Sequence, residues 1–178
     1  MKHPWHDLPV GKDAPQIVTA VIEIPVGSRQ KYEIDKDSGL LKMDRVLSSP
    51  MVYPANYGFI PQTFCDDGDA LDILVLGQGP AVPLCLMNAR VLGGLHMIDG
   101  GEEDDKIIAV HKDDPQFKAF QTCEQLEAAH GHWLKEIEHF FKTYKLLEKK
   151  TVEVNGWHSQ EKSYDLIRKA QEFYKKKY

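Results

Sequence analysis

Between Cys65 and Asp72 the chain reads Cys-Asp-Asp-Gly-Asp-Ala-Leu-Asp, and four of the seven residues from Asp66 to Asp72 are carboxylates. An apolar run of strand composition, Ile73-Leu-Val-Leu76, follows at once. Two carboxylates held about 4 Å apart repel by about 4 kcal/mol at an effective dielectric of about 20. A loop that fixes several of them on one side therefore calls for a cation. Asp67 and Asp69 flank Gly68, which turns tightly where a residue with a Cβ could not. Asp72 falls at the mouth of the next strand, so one turn aims these three inward and leaves Asp66 outside. No His or Cys joins the three, and an oxygen-only ligand set selects a hard cation, Mg²⁺, Mn²⁺ or Ca²⁺, over zinc. An EF-hand loop is excluded, because Thr63 and Leu74 stand where that motif needs acids. The plain alternative is a solvated acidic turn.

A second cluster weighs against that alternative. Asp99-Gly-Gly-Glu-Glu-Asp-Asp-Lys106 leads directly into Ile107-Ile-Ala-Val110, so two seven-residue windows hold nine of the 27 acidic residues and each opens onto a strand. A solvated face would spread its charge along one helix. Two loops at strand mouths can instead converge on one metal site in a closed sheet.

The rest of the composition narrows the class. A chain of 178 residues is long enough for one well-buried domain, spanning 1–178. No window approaches the about 18 apolar residues of a membrane span, and the polar start Met1-Lys-His-Pro-Trp-His-Asp7 carries no signal-peptide pattern. Three widely separated cysteines, Cys65, Cys85 and Cys123, fit reduced thiols in a cytoplasm. A net charge of -5 argues against nucleic acid as a partner.

In chain order, Ile17 to Ile24 is a β-branched strand closed by Pro25. Glu23 is its anomaly, either on a solvent face or in a polar interior. Lys31-Tyr-Glu-Ile34 alternates at period two and pairs with Leu40 to Met43 in a hairpin. Asp44-Arg45 follows, then an aromatic loop, Tyr53-Pro-Ala-Asn-Tyr-Gly-Phe59. Leu84 to Leu95 reads as a strand or a pair of strands. From Glu124 to Lys150 the period becomes helical, with Gly131 starting or interrupting the helix. Thr151 to Val154 is a short strand, and Ser159 opens a last helix whose Lys175 to Lys177 run suits a C-terminus. His130 and His132 read as surface residues, and His96, His111, His139 and His158 as isolated ones. Strands first and helices last imply α+β, a small antiparallel barrel with helices packed outside.

Taken together these segments resemble the soluble, Mg²⁺-dependent inorganic pyrophosphatases of the first family, in the prokaryotic short-chain form. The resemblance runs from about Val10 to the last helix. It is carried by Val21-Ile-Glu-Ile-Pro25, Lys31-Tyr-Glu-Ile-Asp35, Asp44-Arg45, Tyr53-Pro-Ala-Asn-Tyr-Gly58, Asp67-Gly-Asp-Ala-Leu-Asp72, Asp99 through Lys106, and His139-Phe-Phe-Lys-Thr-Tyr-Lys145. It implies an OB-like five-stranded barrel with flanking C-terminal helices, a homohexamer, and hydrolysis of pyrophosphate to two orthophosphates by a metal-activated water.

The same resemblance assigns roles. Positions matching Asp67, Asp72 and Asp104 hold a central pair of Mg²⁺ ions, Asp99 joins for a further ion, and Glu23 stands near an outer one. Mn²⁺ or Zn²⁺ are expected as substitutes and Ca²⁺ as an inhibitor. Asp69 is the general base. Lys31, Arg45, Tyr57, Tyr144 and Lys145 bind phosphate groups, with Glu33, Asp44, Tyr53 and Lys106 close by. Ala70 departs from the Pro or Glu usual in the signature, and Gly100 from a second acid, and neither disturbs the carboxylate register. Two rivals from other classes remain. An OB-type oligonucleotide binder would need a basic groove lined with stacking aromatics, and a non-enzymatic divalent-cation-binding module leaves the Lys, Arg and Tyr set without a use.

Overall fold

The computed structural model describes residues 2–178. Its strands are β1 (Ile17–Ile24), β2 (Gln30–Ile34), β3 (Leu41–Val46), β4 (Asn56–Phe59), β5 (Asp72–Leu76), β6 (Leu86–Asp99), β7 (Glu102–Glu103), β8 (Lys106–His111) and β9 (Val152–His158). Its α-helices are α1 (Cys123–His130), α2 (His132–Thr143) and α3 (Gln160–Lys177).

Five strands close a ring: β1 pairs with β4, β4 with β5, β5 with β8, β8 with β6, and β6 returns to β1. This is the expected barrel, with one difference of pairing. β5 and β8 run parallel, so the sheet is mixed. A parallel pair needs a crossover of a dozen or more residues, and β6, which lies between them in sequence, supplies it. The parallel pairing sets Asp72 directly opposite Lys106. Both acidic clusters therefore stand at the same end of the barrel.

β6 is longer than the apolar pattern indicates. It is a single strand of 14 residues that runs on to Asp99. Its first half pairs with β1 and β8, a bulge between Val91 and Gly93 bends it, and its second half pairs with β9 and β7. A second difference falls at Asn56–Phe59, read above as loop and folded here as β4. Gly58 lies so close to β1 that a Cβ would meet the Val21 carbonyl oxygen at 1.8 Å, and only glycine permits the approach. The Asn56 amide oxygen accepts from Val26 N–H at 3.1 Å and Ala81 N–H at 2.8 Å, joining the strand to two loops. β2 and β3 form the expected hairpin, a separate sheet in which Lys31 faces Arg45.

β1, β4, β5 and β8 are buried on both faces, which explains the continuous apolar runs of β1, β5 and β8. Ile73, Val75, Ile107 and Ala109 pack with Tyr164, Ile167 and Ala170 of α3. Leu74, Leu76, Ile108 and Val110 pack with Leu126 of α1 and with Leu134, Ile137, Phe140 and Phe141 of α2. Each buried Val, Leu, Ile or Phe among them contributes about 1.5–3 kcal/mol by leaving water. Gly131 separates α1 from α2, and the Ser159 hydroxyl caps α3 by accepting from Lys162 N–H at 3.2 Å.

Candidate active site

The first acidic loop is built as a tight turn. Gly68 has φ +85°, its N–H donates to the Cys65 carbonyl at 3.1 Å, and Cys65 N–H donates to the Asp69 carbonyl at 2.8 Å. Asp69 N–H donates to Asp67 Oδ1 at 3.0 Å, which fixes one carboxylate against the backbone of the other. Asp66 turns outward, 3.8 Å from Lys169. Asp104 of the second loop is anchored through its N–H to the Met97 carbonyl at 2.9 Å.

One cleft of about 320 Å³ gathers what these loops present. Asp67, Asp69, Asp72, Asp99, Asp104 and Glu23 line it, together with Lys31, Glu33, Lys106, Lys145, Tyr57 and Tyr144. Had the 67/72 pair and Asp104 lain on opposite faces of the barrel, convergence would have failed. Instead Lys106 Nζ bonds to both Asp72 and Asp104. Lys145 reaches Asp99 and Lys31 reaches Glu33, with Asp44 3.5 Å from Lys31. Glu23 is resolved in favour of the polar interior, 7% exposed and accepting from Ile34 N–H at 2.7 Å.

Arg45 and its neighbour Asp44 are expected residues that do not line the cleft. The Arg45 guanidinium is held at 2.5 Å by Asp44 and at 3.3 Å by Glu148, a residue that the sequence pattern did not single out. Sequence reasoning also missed Lys36, whose Nζ lies 2.5 Å from Asp69 Oδ1 and donates to the Gly68 carbonyl at 3.1 Å. Trp5 and Tyr32 also line the cleft. None of these carries a local signal, because each reaches the site only through the fold. Two of the four histidines read as isolated need a correction: His96 and His158 come together beside Asp105.

The electrostatics show an acidic site in want of cations. Burial, reinforced by Asp72, Asp104 and Asp69 and opposed by the Asp69 N–H, pushes the Asp67 carboxyl up to about 6. Burial likewise pushes Glu23 up to about 8, with Asp72 and Glu33 adding to it and the Ile34 N–H and Lys31 opposing. Asp104 is raised by burial although Lys106 pulls it down. Burial would lower Lys106, yet Asp72 and Asp104 outweigh it and hold the ammonium charged. Tyr57 and Tyr144 are raised chiefly by burial, so both remain phenols that can donate. These carboxylates form an oxygen donor set, and the lysines resting on them mark where positive charge is favoured.

The sequence matches the Pyrophosphatase family model, described as inorganic pyrophosphatase, over residues 20–175. The chain belongs to the inorganic pyrophosphatase family. Soluble inorganic pyrophosphatase 2 of Chlamydomonas reinhardtii is 50% identical over 176 residues, covering 99% of this chain and 90% of the relative. Soluble inorganic pyrophosphatase 3 of Arabidopsis thaliana is 50% identical, covering 97% and 78%. Among solved structures, an inorganic pyrophosphatase from Thermus thermophilus superposes with a TM-score of 0.92 at 40% identity, over 98% of this chain and 99% of that one. One from Helicobacter pylori gives 0.88 at 41% identity, over 94% and 98%. Membership in a pyrophosphatase family implies use of a divalent metal, and the cleft carboxylates fit that requirement.

Proposed function

We propose that the cleft hydrolyses inorganic pyrophosphate to two orthophosphates, with Mg²⁺ as its working cation. The observation that carries this reading is the meeting of acidic residues with Lys31, Lys106, Lys145, Tyr57 and Tyr144 across a single cleft. The carboxylates suit cations, the basic and phenolic groups suit phosphate oxygens, and a phosphoanhydride needs both. A barrel that bound oligonucleotides would present basic walls instead.

Asp67, Asp72 and Asp104 would hold the central ions, Asp99 a further one, and Glu23 an outer one. When bound, such ions lower the pKa of a water and offset the charge of the substrate. Asp69 accepts the proton of the attacking water. Its side chain is 55% exposed and stays in reach of solvent, and Lys36 orients one of its oxygens. Lys31 and Lys145, which rest on Glu33 and Asp99, are drawn onto the substrate's phosphate oxygens in charge-assisted bonds. Tyr57 and Tyr144 donate their hydroxyls to the same oxygens. Arg45, opposite Lys31 in the hairpin, joins by releasing Asp44 or Glu148. Phosphoryl transfer asks mainly for such positioning and charge stabilisation. The protein would act as a homohexamer in the cytoplasm.

Phosphate release from pyrophosphate tests the reading directly. It is expected with Mg²⁺, should stop on addition of EDTA, and should be inhibited when Ca²⁺ replaces Mg²⁺. Absence of phosphate release in Mg²⁺ would leave only a cation-binding module.

A further inference from the structure

A second cluster of metal-ligating side chains lies outside the cleft. His96 sits in β6 and His158 ends β9, and because Gly94 pairs with His158, both imidazoles fall on one face of the sheet, two residues apart in register. Asp105 meets them from the loop before β8. His96 Nδ1 is 2.8 Å from Asp105 Oδ1 and His158 Nε2 is 3.2 Å from the same oxygen, and the ligand atoms of all three lie within 4.8 Å of one another. Asp105 is 9% exposed at its side chain, His158 15% and His96 26%.

Hydrogen bonding alone does not account for the arrangement. His96 and Asp105 form a good bond. His158 Nε2, by contrast, is buried and forms no hydrogen bond despite its nearness to Asp105. A buried ring nitrogen without a partner is unfavourable, and one that faces a second imidazole and a carboxylate is placed as a ligand. Ligands about 2.0–2.2 Å from one zinc ion stand about 3.3 Å apart in a tetrahedron. The two spacings to the Asp105 oxygen, 2.8 and 3.2 Å, lie near that value, and the two ring nitrogens are within 4.8 Å of each other. Glu103 Oε2, 4.0 Å from His96 Nδ1 and largely exposed, can supply the fourth donor, or a water can.

We infer that His96, Asp105 and His158 form a second metal site, for a borderline ion such as Zn²⁺, distinct from the oxygen-lined cleft. Two imidazoles and one carboxylate favour Zn²⁺ or Co²⁺ over Mg²⁺. Asp105 follows Asp104 directly in the chain, so an ion here ties the second acidic loop to β6 and β9. The assignment does not depend on hydrolysis of any substrate.

Co²⁺ titrated into the full chain under excess Mg²⁺ tests it, since a tetrahedral nitrogen-containing site gives strong visible absorption bands and an octahedral oxygen site only weak ones. The parent and the cleft variant Asp72→Asn should both show the strong bands, at one ion per chain. His96→Gln and His158→Gln should lose them or bind at least about tenfold more weakly, since even changes around metal ligands cost that much. Asp105→Asn, nearly identical in shape, gives the same readout if a histidine variant does not fold. Absence of the bands in the parent, or their persistence in the variants that remove a ligand, would overturn the assignment.

Discussion

Burial sets Glu23 apart from the more open carboxylates of the cleft. It is the single acid of β1, enclosed by the barrel wall with Asp72, Glu33, Lys31 and the Ile34 N–H facing it. In the metal-free folded chain it holds its proton up to about pH 8, whereas in the unfolded chain it loses it near 4.5. Across that window the unfolded state binds fewer protons, so this group's contribution to metal-free stability falls as pH rises. Denaturant unfolding without metal should therefore show Glu23→Gln gaining on the parent between pH 4.5 and about 8; a gap independent of pH would contradict the buried setting. Asp69, by contrast, is open to solvent. Asp69→Asn should leave folding and metal binding intact while lowering turnover by about 10²-fold, the share typical of a general base, and near-parental turnover would remove it from the chemistry. The type and spacing of Asp67, Asp69 and Asp72 were legible in the sequence because they lie within one turn. Lys36 and Glu148 were not, because their partners are 33 and 103 residues away.

Among the elements, β4 shows how tertiary contact overrides local preference. A four-residue segment containing Gly58 and preceded by Pro54 reads as loop, yet its glycine lets β1 approach closely enough to complete the ring. Gly58→Ala should destabilise the fold by about 3 kcal/mol or more, since the clash is with backbone rather than with a flexible side chain. A denaturant midpoint close to the parent's would show that β1 and β4 can part without loss. The β5–β8 pair is likewise set by tertiary contact. Both strands were legible from their apolar runs, but their mutual direction was not, because period-two patterning carries no information about which neighbour a strand finds. The helices were read closely, since the 3.6-residue stripe, Gly131 and the Ser159 cap are all local signals.

At the scale of the whole molecule, apolar side chains remain at the surface. Val82 is 74% exposed, Leu86 55% and Leu147 66%, and among the described residues no helix is long and apolar enough to cross a membrane. Such residues offer surface for contact between copies of the chain. Native mass spectrometry is expected to find six copies, and a mass of one 20.3 kDa chain at working concentration would refute the hexamer. All three cysteines are free, and burial pushes the Cys123 thiol up to about 12, so the innermost of them is a packing residue. Taken alone, the sequence determined the α+β class, the family and the position of the two acidic loops at strand mouths, because those are written in short runs whose spacing places side chains on one turn or one face. Only the tertiary structure decided that Asp72 faces Lys106 across a parallel pair, that Glu23 is buried, that Arg45 turns to Glu148, and that His96 meets His158. Each of these depends on which distant segments pack together, and that is set by closure of the barrel as a whole.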